Sequence, residues 1–210
     1  MSFAIEPRAL GLRGKRLAFW CGLATLFFIT ACKGPSPEPR TQGKICTWDV
    51  PAGETYRFDS VPPGIASVDF KARVYEASHD ATCTQFEAGL HPLVVVAHGR
   101  VMAGVPDNYL GMTFITNHLA SWGDIVVSVN LDVVNALQGE QTLWGIPHRG
   151  ELIMHAVEYM LDENRKPGSR FYQRIDTTRI ALVGHSRGGG AVIYAANYNS
   201  THRNRAIKAV

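Results

Sequence analysis

The sequence predicts an α/β domain, a mostly parallel sheet with helices on both faces, and three observations predict it. Residues 93–97 (LVVVA), 124–130 (DIVVSVN) and 180–183 (IALV) are continuous apolar runs, as expected of strands buried on both faces. Segments with helical periodicity separate them, and strands alternating with helices imply βαβ units whose right-handed crossovers cover both sides of the sheet. The last run passes directly into Gly184-His185-Ser186-Arg187-Gly188 and then into a helical stretch.

The 210 residues are enough for one domain with a substantial core. An apolar content of 46% with 19% charged residues is that of a globular chain, not a disordered one. The net charge of +3 resides in the first 31 residues, where Arg8, Arg13, Lys15 and Arg16 face only Glu6. The remainder is balanced, which argues against a nucleic-acid partner.

Taken in order, residues 1–31 read as a targeting segment. A basic stretch ending at Arg16 precedes residues 17–31 (LAFWCGLATLFFITA), too short for the ~20 residues of a comfortable span and suited to a signal-peptide core. It ends in Ile29-Thr30-Ala31-Cys32, which resembles a bacterial lipobox. The resemblance implies cleavage before Cys32, lipidation of its thiol, and anchoring on the periplasmic face or, with Lys33 next, at an outer membrane. Ordinary secretion and an uncleaved anchor are the alternatives. Residues 32–43, rich in Pro, Gly and polar residues, read as the lipidated cysteine and its tether. Of four cysteines, Cys46 and Cys83 remain; in an exported compartment they are candidates for one disulfide, against the alternative of two buried thiols.

The domain proper is residues 44–210. Weak strands are expected near 45–48 and 54–58, forming an antiparallel edge, and a half-exposed alternating strand over 69–75. A helix over 108–121 would place Leu110, Phe114 and Ile115 on its apolar side. Residues 138–150 read as a loop containing Trp144. A helix over 151–164 carries apolar pairs at Leu152/Ile153, Ala156/Val157 and Met160/Leu161. A helix from about 188 to 198 follows the Gly-x-Ser-x-Gly run, and residues 207–210 begin another strand.

Gly-x-Ser-x-Gly between a strand and a helix has the form of a nucleophile elbow, with Ser186 as candidate nucleophile. Side chains at Gly184 and Gly188 would collide with neighbouring backbone on so sharp a turn. The helix entry directs N–H groups and the positive dipole end at developing negative charge, so the N–H of Arg187 is a candidate oxyanion donor. A second donor is expected from His98-Gly99-Arg100, which ends the 93–97 run. Arg100 N–H is the candidate, with Val101 adjacent, and His98 reads as structural. His185 lies inside the elbow, facing away from the serine's task. His118 and His155 fall on helices, and His202 falls in a polar stretch. Asp132, just past a strand end, is the best-placed carboxylate, but its position does not match a triad acid. The eight histidines show no compact ligand spacing, so neither a metal nor another cofactor is expected.

On these residues, segments 69–75, 93–100, 122–131 and 176–190 resemble the α/β-hydrolase superfamily. The likeness is to its dienelactone-hydrolase, chlorophyllase, platelet-activating-factor acetylhydrolase and polyester-hydrolase branches. The resemblance implies a Ser-His-Asp esterase acting on a small or polymeric ester. Ser186 would be the nucleophile, Arg187 and Arg100 the oxyanion residues, and the histidine and acid would come from sequence beyond Val210. The chain would then hold the fold up to the strand after the nucleophile helix and would be inactive alone. The rival reading is a non-catalytic lipoprotein using this part of the fold as a binding or structural module. Substrate and oligomeric state are not legible here.

Overall fold

The structure, a computed structural model, describes residues 43–59, 67–100, 106–135, 145–202 and 207–210. All lie in the compact unit Pro39–Val210. The expectations for residues 1–42, which include Cys32, and for Val101 and Trp144 concern positions outside the described residues.

The described residues form eight strands: β1 (Lys44–Asp49), β2 (Thr55–Tyr56), β3 (Val68–Asp69), β4 (Ala72–Ser78), β5 (His91–Ala97), β6 (Ile125–Val129), β7 (Ile175–Gly184) and β8 (Ile207–Ala209). A 3₁₀ helix (Asn108–Met112) leads into α1 (Thr113–Ser121). The short α2 (Asp132–Asn135), α3 (Gly145–Arg165) and α4 (Arg187–His202) follow. Six strands form one sheet in the order β1-β4-β6-β5-β7-β8, with β6, β5, β7 and β8 mutually parallel and β4 and β1 antiparallel at one edge. The expected antiparallel edge is therefore β1 with β4. The segment expected near 54–58 instead pairs β2 with β3 in a separate two-stranded sheet.

The central strands are apolar throughout because both of their faces are covered. Alternate residues of a strand point to opposite faces. Val94, Val96 and Val126 pack with Tyr75, Met112 and Ala120 on the α1 side. Leu93, Val95, Val127 and Leu182 pack with Leu152, Ile153, Ala156, Val157 and Met160 of α3 and Ala191, Val192 and Ala195 of α4. Burying a side chain of the size of Leu93 or Ile153 contributes about 1.5–3 kcal/mol. Helices α3 and α4 approach closely through a glycine: a Cβ on Gly150 would lie 2.5 Å from a ring carbon of Tyr194.

Three expectations need correction. The helix after β5 opens with a 3₁₀ turn, which rotates the apolar stripe, so Met112, Thr116 and Ala120 are buried while Phe114 is 73% exposed. The strand expected over 69–75 is interrupted at Phe70-Lys71; residues 68–69 join β2, and the sheet strand begins at Ala72. Helix α3 starts at Gly145 inside the expected loop, with Pro147 in its first turn, where a missing N–H costs no hydrogen bond.

At the β1–β4 edge, a Cys46–Cys83 disulfide joins Cα atoms 5.9 Å apart. The turn around Cys83 is organised by Asp80, whose carboxylate accepts from Ser78 Oγ (2.5 Å), the Thr84 N–H (3.0 Å) and the Gln85 N–H (2.9 Å). These bonds, Ser78 first, hold the Asp80 carboxyl well below the usual carboxylate range. Beside it, buried Glu76 faces Arg174 at 2.5 Å, and the Arg170 guanidinium lies 3.2 Å from the Trp48 ring centroid.

Candidate active site

The parallel strands end at one level. Ala72, Val129, Ala97 and Gly184 are partners across β4, β6, β5 and β7, and the turns beyond them form the carboxyl edge of the sheet. Ligand sites of open α/β sheets lie at this edge.

There, β7 turns into α4 through His185 and Ser186. Ser186 has φ +55°, a left-handed conformation that non-glycine residues rarely adopt and that costs on the order of 1–3 kcal/mol. Backbone hydrogen bonds impose it: His185 N–H donates to Ala97 O (3.0 Å), Gly188 N–H to His185 O (2.8 Å) and Gly189 N–H to Ser186 O (2.9 Å). The flanking glycines admit no side chain. A Cβ on Gly184 would lie 2.3 Å from Gly188 O, and one on Gly188 would lie 2.3 Å from Ala97 O. The turn therefore lifts the Ser186 side chain, which is exposed, above the sheet.

Gly99 faces it. A Cβ there would stand 2.8 Å from the Ser186 Cβ, so the loop leaving β5 touches the serine directly. Arg100, next in the chain, is exposed, and Arg187 is the first residue of α4, where N–H groups and the positive dipole end point out of the helix. The structure thus brings Ser186, Arg187, Gly99 and Arg100 together at one corner.

His98 is buried beneath this loop. Leu131 N–H donates to its Nε2 (2.9 Å), which makes Nε2 the acceptor and leaves Nδ1–H to donate to Gly99 O (2.7 Å). Burial is the main cause that depresses its pKa, and the ring is held neutral. His98 is a bracket of the loop, not a base for Ser186. Asp132 Oδ1 lies 3.7 Å from His98 Nε2, and the same carboxylate accepts from Asn108 N–H (3.0 Å) and Asn108 Nδ2–H (2.6 Å). Sequence reasoning singled out Asp132 but missed its partner Asn108, which follows the loop and gives no local signal.

His118 and His155 lie away from the elbow. His118 meets the edge of Trp122, and His155 packs between Tyr56 and Phe70, its pKa lowered mainly by burial. His185 is exposed within the elbow. Among the described residues no group of three His, Cys, Asp or Glu side chains could hold a metal ion, and no helix is long and apolar enough to cross a membrane. A cavity of about 250 Å³ lined by residues 49–54, 69–72 and Tyr109 does not include Ser186.

A parallel sheet covered on both faces, with a strained serine between a strand end and a helix start, defines the α/β-hydrolase fold. Residues 94–209, more than half of the chain, match the PET hydrolase-like family, and the chain belongs to it. Among solved structures it is similar to a ferulic acid esterase from Streptomyces cinnamoneus, with a TM-score of 0.56 at 17% identity over 81% of this chain and 58% of that one. It is also similar to the methylesterase BT1017, with a TM-score of 0.45 at 20% identity over 68% of this chain and 29% of that one. The chain spans less than two thirds of the length of either structure. No curated protein matches it.

Proposed function

We propose that this protein is an exported serine hydrolase that cleaves carboxylic esters through an acyl-enzyme on Ser186. The observation that carries the reading is the left-handed Ser186, held between a strand end and a helix start with Gly99 against its Cβ. Membership of the PET hydrolase-like family supports an ester, small or polymeric, as the substrate.

Ser186 Oγ attacks the acyl carbon. The tetrahedral oxyanion takes hydrogen bonds from the N–H groups of Arg187 and Arg100, each contributing about 3–4 kcal/mol to the transition state. A general base takes the serine proton and passes it to the alcohol, which leaves as the intermediate collapses to the acyl-enzyme; water then hydrolyses that ester to the carboxylic acid and free Ser186. In this architecture the acid and the base follow the nucleophile in chain order. Cys32 carries the lipid that fixes the enzyme to a membrane, with residues 33–43 as the tether.

Steady-state hydrolysis of a p-nitrophenyl acetate and butyrate series by the gene product tests the reading. Ser186→Ala is expected to lower kcat by roughly 10⁴-fold or more with KM little changed. Equal activity in Ser186→Ala and wild type would overturn it.

A further inference from the structure

The residues that leave β5 and those that lead into α1 are both tied to the turn after β6. On the leaving side, His98 accepts from Leu131 N–H (2.9 Å) through Nε2 and donates from Nδ1–H to Gly99 O (2.7 Å). On the returning side, Asn108 places its N–H and its side-chain amide on Asp132, at 3.0 and 2.6 Å. Tyr109 O accepts from the buried Ser128 Oγ at 2.7 Å. The two sides meet at one turn because Leu131, whose N–H donates to His98 Nε2, is the residue before Asp132, which accepts from Asn108. Asp132 is itself fixed by its own N–H, which donates to Asn130 Oδ1 at 2.8 Å.

The returning side stores strain. Asp107, the residue before Asn108, has φ +59° and ψ +39°, left-handed like Ser186. A non-glycine residue stays there only when its surroundings fix it. Asp107 O accepts from Leu110 N–H (2.9 Å), and the bidentate grip of Asp132 holds the next residue, Asn108.

The geometry points to Asp132 and Asn108 as positioning residues of the hydrolase. With His98 they form a clasp that sets where Gly99 and the Arg100 N–H stand relative to Ser186. Neither residue touches the reacting atoms. They act through the turn after β6, whose Leu131 N–H holds His98 and so Gly99: a Cβ on Gly99 would stand 2.8 Å from the Ser186 Cβ, so a small slip moves the donor, and a misplacement of about 1 Å costs on the order of 100-fold in rate. This inference rests on the Ser186 reading, since a loop can position an oxyanion donor only if an oxyanion forms.

The test compares wild-type gene product, Asp132→Ala, Asn108→Ala and the reciprocal exchange Asp132→Asn with Asn108→Asp. Ester hydrolysis and amide hydrogen exchange are read on the same samples. The exchanged pair keeps a carbonyl acceptor for the residue-108 N–H and one side-chain donor facing one acceptor. The expected result is a roughly 10- to 100-fold loss of kcat in each alanine variant with KM within about two-fold, and recovery of most of the rate in the reciprocal exchange. Exchange should accelerate at Gly99, Arg100, Asn108 and Tyr109 while Val94–Val96 stay protected. Unchanged kcat, or acceleration spread across the whole sheet, would overturn the positioning role. If wild type and Ser186→Ala hydrolyse equally, the nucleophile reading fails and the catalytic meaning of the clasp falls with it, whatever the exchange pattern.

Discussion

Gly99 and Ser186 meet so closely that a single added methyl would not fit: a Cβ on Gly99 would stand 2.8 Å from the Ser186 Cβ and 3.1 Å from His185 O. The loop leaving β5 and the turn leaving β7 therefore form one unit, although 87 positions separate the two residues in the chain. Gly99→Ala is expected to slow ester hydrolysis more than it lowers stability, because the strain falls on the two turns that must hold the oxyanion. Thermal melts run beside kinetics would show a large drop in kcat with a small drop in Tm.

Gly188→Ala should behave differently. Its Cβ would lie 2.3 Å from Ala97 O and 2.7 Å from His98 O, both backbone atoms that cannot swing aside. Overpacking of this kind typically costs about 1–3 kcal/mol. Both the denaturant midpoint and the activity should fall. An unchanged midpoint would mean that α4 does not pack against β5 at this point.

The Cys46–Cys83 bridge spans 37 positions of sequence. In the chain-entropy account, closing a loop of that length stabilises the fold by about 4 kcal/mol, less any cost in the native state. Cys46→Ser with Cys83→Ser should lower stability by up to that amount in denaturant titrations under oxidising conditions. Addition of a reductant should bring wild type close to the double variant.

Acid should weaken the fold through two histidines, buried His98 and half-buried His155. Burial lowers the pKa of both His98 and His155, so the folded protein binds fewer protons there than the unfolded chain. Their contribution to stability is therefore present above the unfolded value of about 6.5 and is lost as pH falls below it, levelling off under the folded value. His155 Nε2 is buried without a hydrogen-bond partner, between the rings of Tyr56 and Phe70. His155→Phe should keep that packing, remove an unsatisfied nitrogen and reduce the loss of stability between pH 7 and 5. A steeper loss in the variant would contradict this.

Much of this was legible in the sequence, for identifiable reasons. Residues 93–97 and 125–129 are apolar at every position or nearly so because helices cover both sides, and burial on both faces leaves no other reading. The elbow was legible because its geometry forbids side chains at Gly184 and Gly188, which forces a local pattern. Phe114 misled because a 3₁₀ turn shifts the apolar stripe without changing composition. The start of α3 at Gly145 was hidden because Pro147 reads as a breaker except in a first turn. The grip of Asp132 on Asn108 spans 24 positions and depends on how two strand ends meet, so no local pattern announces it.

The central claim is that Ser186 is a reactive nucleophile, and treating the gene product with a fluorophosphonate and mapping the adduct by peptide mass spectrometry tests it most directly. The account predicts a single stoichiometric adduct on the peptide containing Ser186, formed more slowly in Gly99→Ala and Asp132→Ala and absent in Ser186→Ala. A folded protein that stays unlabelled, or an adduct that persists in Ser186→Ala, would contradict it.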